Sequence, residues 1–132
     1  MTVLIADDSR LMRDRIRETI SIFSNVEIVS ETDNGTEALE ELIRHNPDLA
    51  IIDIRMPDRN GLEILKEYRV KNKTTKIIIL TNYAYDQYLE RAYENGADYF
   101  YSKSEDFDKI AATVANLLRN GNNNKTIHQS GI

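Results

Sequence analysis

Cysteine is absent from the 132 residues. That excludes a disulfide, a thiolate metal site and a thiol nucleophile. Histidine is nearly absent: His45 and His128 stand far apart in sequence, which argues against a zinc site. Neither histidine sits in a context that would serve Ser9 or Thr81, so no hydrolase triad is expected. No apolar run approaches the roughly 20 residues needed to cross a bilayer. The chain begins on a strand-like run instead of a charged leader, and a cytoplasmic location is expected. Positive charge is in short supply, with 17 Lys and Arg against 22 Asp and Glu and a net charge of -5. Nucleic acid and anionic membrane are therefore not expected as partners, since both are negative. What is present is an ordinary globular mixture, 41% hydrophobic and 30% charged, of a length suited to one domain with a proper core.

Two kinds of segment alternate. Short apolar runs occur at Val3–Ala6, Val26–Thr32, Leu49–Ile52, Ile77–Leu80 and Tyr99–Tyr101. Three of them are unbroken and aliphatic, as parallel strands covered on both faces are. The run at 26–32 alternates and predicts a more exposed strand. Between the runs lie helical stripes: Met12, Ile16, Ile20 and Phe23, then Ala38, Leu39, Leu42 and Ile43, then Leu62, Leu65 and Tyr68. Tyr85, Leu89, Ala92 and Tyr93 form a fourth, and Phe107, Ile110, Ala111, Val114, Leu117 and Leu118 a fifth. Each predicts one buried face. Asn34-Gly35, Asn46-Pro47, Asn60-Gly61 and Asn95-Gly96 mark turns. The alternation predicts an α/β fold with a parallel sheet and right-handed crossovers. Residues 120–132, with Gly121 and Asn122-Asn123-Asn124, predict a flexible C-terminal tail after a domain over 1–119.

Ligands of such sheets bind beyond the carboxyl ends of the strands. There the sequence places Asp7 and Asp8 after the first strand, Asp53 after the third, Thr81 at the end of the fourth and Lys103 past the fifth. Taken singly, these residues have plainer roles: a helix-capping pair, a strand-end carboxylate, a β-branched strand residue and a surface lysine. Together, three carboxylates on one rim repel and call for a cation. Oxygen ligands without His or Cys suit Mg²⁺, Ca²⁺ or Mn²⁺. A lysine and a hydroxyl beside them suit a tetrahedral anion, and the chemistry indicated is phosphoryl transfer to a carboxylate.

The chain resembles the receiver domain of two-component response regulators, of the stand-alone type. The resemblance rests on Leu4-Ile5-Ala6-Asp7-Asp8-Ser9, Asp48–Pro57 with Asn60-Gly61, Ile79-Leu80-Thr81, and Gly96-Ala97-Asp98 leading to Lys103. It implies a flavodoxin-like, doubly wound five-stranded sheet of order 2-1-3-4-5 with five helices. It implies Asp53 as phosphoacceptor, Asp7 and Asp8 as the acid pair for Mg²⁺ with Asp8 the more direct ligand, and the Arg55 backbone carbonyl as a further metal ligand. Thr81 and Lys103 take the phosphoryl oxygens, and Thr81 and Phe100 form the switch. The implied partners are a sensor histidine kinase and either a histidine phosphotransfer protein or another target protein. Three positions depart from the family pattern. Ser104 follows Lys103 where proline is usual, Asn82 follows Thr81 where a small residue is commoner, and Phe100 lacks the hydroxyl of a tyrosine.

The resemblance implies a phosphoacceptor that assists its own chemistry, not an enzyme. Two alternatives are a Mg²⁺-dependent aspartyl phosphatase and an interaction module independent of phosphorylation. The first commonly has an acid two residues after its nucleophile, where this chain has Arg55. The second has no need to keep Asp7, Asp8, Asp53, Thr81 and Lys103 together. Six of the seven tyrosines fall between 83 and 101. They either pack the fourth helix on the sheet or form a partner surface, including a homodimer face on the fourth helix, fifth strand and fifth helix.

Overall fold

The computed structural model describes residues 1–83 and 85–130, the side chains of 122–130 excepted. Strands and helices alternate in chain order: β1 Thr2–Ala6, α1 Arg10–Ile20, β2 Glu27–Thr32, α2 Gly35–His45, β3 Leu49–Ile52, α3 Gly61–Arg69, β4 Lys76–Thr81, α4 Asp86–Glu94, β5 Tyr99–Ser102 and α5 Lys109–Ser130. The five strands form one parallel sheet of order β2-β1-β3-β4-β5, the flavodoxin-like order expected.

Alternation along the strands divides the core in two. On one face Leu4, Ala6, Ala50, Ile52, Ile77, Ile79 and Phe100 pack under α2, α3 and α4. On the other, Val3, Ile5, Leu49, Ile51, Ile78 and Leu80 pack under α1 and α5. The all-apolar β1, β3 and β4 are thus interior strands buried on both sides. The alternating β2 lies at an edge, half-exposed over most of its length.

Local chemistry starts the first three helices. The Ser9 hydroxyl accepts the Met12 N–H at 3.2 Å. Asn34 Oδ1 accepts the Glu37 N–H and Asn60 Oδ1 accepts the Glu63 N–H, both at 2.9 Å. These are side-chain N-caps, so two of the Asn-Gly pairs are helix starts. Gly35 and Gly61 then open α2 and α3 where backbone crosses backbone. Gly35 donates its N–H to Pro57 O and Gly61 to Ile54 O. A Cβ at Gly61 would lie 2.1 Å from Asp53 O, and one at Gly35 1.9 Å from Arg59 O. The loop after β3 is thereby clamped between the starts of α2 and α3.

Two expectations about stripes are corrected. Tyr85, Leu89 and Tyr93 do not pack on the sheet; they are 58%, 40% and 47% exposed. Of that stripe only Ala92 is buried; α4 turns its Tyr88–Ala92 line inward, about 100° round the helix from the row of Tyr85, Leu89 and Tyr93. Ile43 also faces solvent, while Ala38, Leu39 and Leu42 of the same stripe are buried. Over 120–130, where a tail is expected, the backbone continues α5; the side chains of 122–130 and residues 131 and 132 lie outside what is described.

Gly61→Ala is expected to lower stability by about 2–3 kcal/mol, the upper range for overpacking, because the Asp53 carbonyl has no room to retreat. Urea unfolding should show a lower midpoint with little change in m. An unchanged midpoint would show that the clamp yields.

Candidate functional site

The winding of the sheet reverses between β1 and β3, and their carboxyl ends are level because Ala6 is paired with Ile52. One residue further on, Asp7 N–H donates to Thr32 O at 3.0 Å and Asp53 N–H to Ala6 O at 2.9 Å. The strand ladders therefore carry both aspartates into place before their side chains form any contact. Asp8 is exposed, whereas Asp7 and Asp53 are buried. The three carboxylates offer oxygens all within 4.8 Å of one another.

Lys103 holds this group together. Its Nζ lies 2.7 Å from Asp7 Oδ2 and 3.0 Å from Asp53 Oδ2, and its side chain is only 6% exposed. Asp7 is further fixed by the Ser9 N–H, which donates to Oδ1 at 2.9 Å, and Arg13 Nη1 donates to the Asp7 carbonyl at 2.6 Å. Burial pushes the Asp53 carboxyl above its ordinary range; Lys103 pulls it back and Asp7 pushes it further up. Burial acts to lower the Lys103 ammonium, but its bond to Asp7 and the charge of Asp53 outweigh that and leave it raised.

Asp53 Oδ1 is buried and has no hydrogen-bond partner at ordinary geometry, the Ile54 N–H giving the carboxylate only minor support. A carboxylate oxygen in that condition is costly unless something else satisfies it. Three carboxylates against one ammonium also leave two negative charges in excess. An oxygen-only donor set, an unsatisfied buried oxygen and that excess fit a hard divalent cation.

Thr81 is fully buried at the end of β4, and its hydroxyl accepts the Tyr83 N–H at 3.1 Å. The Arg55 guanidinium lies 4.0 Å over the Tyr83 ring, joining the loops that follow β3 and β4. Phe100 is not at the rim; it is packed in the core beside Ala92 and Ala97, in register with Ile79. The structure thus gathers Asp7, Asp8, Asp53 and Lys103, sets Thr81 at the next strand end, and places Phe100 behind them.

Two contributors carried no expectation from sequence. Arg13 sits one turn into α1 and reaches back to the Asp7 carbonyl; a surface-helix arginine gives no local sign of this. Asp106 accepts the Ser102 N–H. Its only sequence sign is an acid four residues beyond the last strand residue. The peptide between Lys103 and Ser104 is trans, as are all those described.

Residues 3–115 match the family model for the response regulator receiver domain. The sensory transduction protein LytT of Bacillus anthracis is 35% identical over 86% of this chain and 46% of its own length. The chemotaxis protein CheY of Halobacterium salinarum is 32% identical over 88% of this chain and 95% of its own. Among solved structures, the receiver domain of AraT, a response regulator from Geobacillus stearothermophilus, superposes with a TM-score of 0.81 at 33% identity, covering 94% of this chain and 97% of that one. The chain spans about half the length of the first curated relatives it matches, 46% to 58%. With the matched segment covering nearly the whole described fold, the chain belongs to the response regulator receiver domain family.

Proposed function

We propose that the chain is phosphorylated on Asp53 by a sensor histidine kinase, with Mg²⁺, and signals through contacts with other proteins. The observation that carries this reading is the buried, unsatisfied Asp53 Oδ1 beside a lysine-bridged acid cluster. One carboxylate oxygen is held by Lys103, and the other has no strong donor, which leaves it available to the cation or to phosphorus. In the transfer, an Asp53 oxygen attacks the phosphorus of a phosphohistidine. The P–N bond breaks as the P–O bond forms, and the released imidazole takes up a proton.

Asp8, Asp53 and the Arg55 carbonyl would hold the metal, with Asp7 set behind them. When bound, Mg²⁺ supplies the positive charge that lets a phosphoryl dianion approach three carboxylates. Lys103 stays on Asp53 and Asp7 in the resting site and can shift its ammonium to a phosphoryl oxygen. The Thr81 hydroxyl accepts from Tyr83 and keeps its own proton to donate. An aspartyl phosphatase remains the less supported reading: two residues past Asp53 stands Arg55, engaged with Tyr83 and unable to serve as a general acid or base there.

For output, the face of α4, β5 and α5 is the best candidate, both for a target protein and for a second copy of the chain. Tyr85, Leu89 and Tyr93 stand exposed on α4, with Tyr83, Tyr85 and Tyr88 in successive ring contacts and Tyr99 packed near Tyr101 on β5. Such aromatic surface is typical of interface centres. Recruitment of Thr81 to the phosphoryl group would disturb its bond to Tyr83, and Phe100, buried below α4, is the large ring whose repacking would carry the change.

Asp53→Asn should abolish labelling by acetyl phosphate, read by intact mass; full labelling of that variant would move the acceptor elsewhere. Asp8→Ala is expected to weaken Mg²⁺ at least tenfold, a loss of about 1.4 kcal/mol, and to slow labelling with it. A titration with unchanged affinity would rule out the assigned ligand set. Addition of beryllofluoride with Mg²⁺ should move amide chemical shifts across residues 83–119; shifts confined to the rim would reject this output face.

A further inference from the structure

Lys103 begins beyond β5, yet its ammonium ends between carboxylates that follow β3 and β1. The sheet order puts all of β4 between its backbone and its partners. A side chain of four methylenes with much rotamer freedom can do this only if its backbone origin is fixed. One anchor lies on the sheet side, where Lys103 N–H donates to Thr81 O at 3.0 Å.

The second anchor is Asp106. Its Oδ2 accepts the Ser102 N–H at 2.9 Å, and its own N–H donates to Ser102 O at 2.8 Å. These reciprocal bonds close a ring around Lys103, Ser104 and Glu105. Ser102 Oγ tightens the ring by accepting the Glu105 N–H at 3.3 Å and lying 3.1 Å from Ser104 Oγ. Asp106 Oδ1 meets Lys109 Nζ at 3.0 Å in the first turn of α5. The end of β5 and the start of α5 are thus joined through one carboxylate.

We infer that Asp106 is a positioning residue for Lys103: by accepting the Ser102 N–H it fixes the turn from which the lysine reaches Asp7 and Asp53. The essential feature is an acceptor at Oδ2, not the negative charge. The lysine's effect on transfer rests on the phosphoacceptor reading above; its placement does not.

Two readouts separate these. The Lys103 ammonium is followed by ¹⁵N NMR of its Nζ, assigned by its loss in Lys103→Met, and phosphorylation by acetyl phosphate with Mg²⁺ is followed by mass. Asp106→Ala should move the ammonium signal toward those of exposed lysines and slow labelling by about tenfold, as expected for a displaced reacting-site group. Asp106→Asn keeps the acceptor oxygen and should restore both. Lys109→Ala should alter neither, since it leaves the Ser102 bond in place. If Asp106→Ala does not fold, Asp106→Glu takes its place, because the extra methylene moves the acceptor off Ser102 while keeping the charge.

An unmoved ammonium signal in the Ala or Glu variant overturns the inference. So does an Asn variant as impaired as the Ala variant, which would make charge the essential feature. Wild-type protein that takes no phosphoryl group would defeat the phosphoacceptor reading alone, since the ammonium signal still decides the placement of Lys103.

Discussion

The Lys103 ammonium lies between Asp7 and Asp53 with almost no solvent contact, and the burial of the two carboxylates and the ammonium is offset chiefly by these two ion pairs. Removing one partner of such a group strands a charge and typically costs on the order of 3–5 kcal/mol. The bond also acts across the sheet. It ties the end of the edge strand β5 to the ends of the interior strands β3 and β1, so the rim has one fixed geometry. The arrangement remains underneutralised, with three carboxylates to one ammonium, and this is where structure passes into chemistry. A site that is tightly placed but short of positive charge is what the proposed cation and phosphoryl group would need.

Much of this was legible in the residues. Unbroken aliphatic runs at 49–52 and 77–80 read as strands buried on both faces, and their alternation with helical stripes implies a parallel sheet with helices on either side. A parallel sheet sends every strand end the same way, so Asp7, Asp53, Thr81 and Lys103 converge without any knowledge of side-chain contacts. Asn34 and Asn60 were read as turns and proved to be helix caps, a difference of one residue in where the helix is taken to start.

The features that could not be read depend on rotation and on distant partners. The stripe Tyr85-Leu89-Tyr93 has helical spacing, but spacing does not say which of two neighbouring rows faces the sheet. The inward row is Tyr88 and Ala92, which join the cluster holding Phe100 and Ala97, so of the expected stripe Ala92 alone is buried. Phe100 is close to Lys103 in sequence yet belongs to the core, because it lies within β5 whereas Lys103 follows the strand's carboxyl end. Arg13 and Asp106 act through backbone groups, and a backbone acceptor or donor has no signature in a side-chain pattern.

The poor fastening of α4 bears on how evenly the molecule holds together. Among its described side chains Ala92 alone is fully buried, and its N-cap residue, Tyr85, makes no side-chain capping bond, unlike Ser9, Asn34 and Asn60. Local opening is governed by what a segment buries and how its ends are satisfied. The amides of α4 should therefore exchange with solvent through fluctuations far smaller than global unfolding, while those of β1 and β3 wait for the whole domain to open. A protein bound along Tyr85, Leu89 and Tyr93 would supply the packing that α4 lacks, and would slow that exchange without touching the rim.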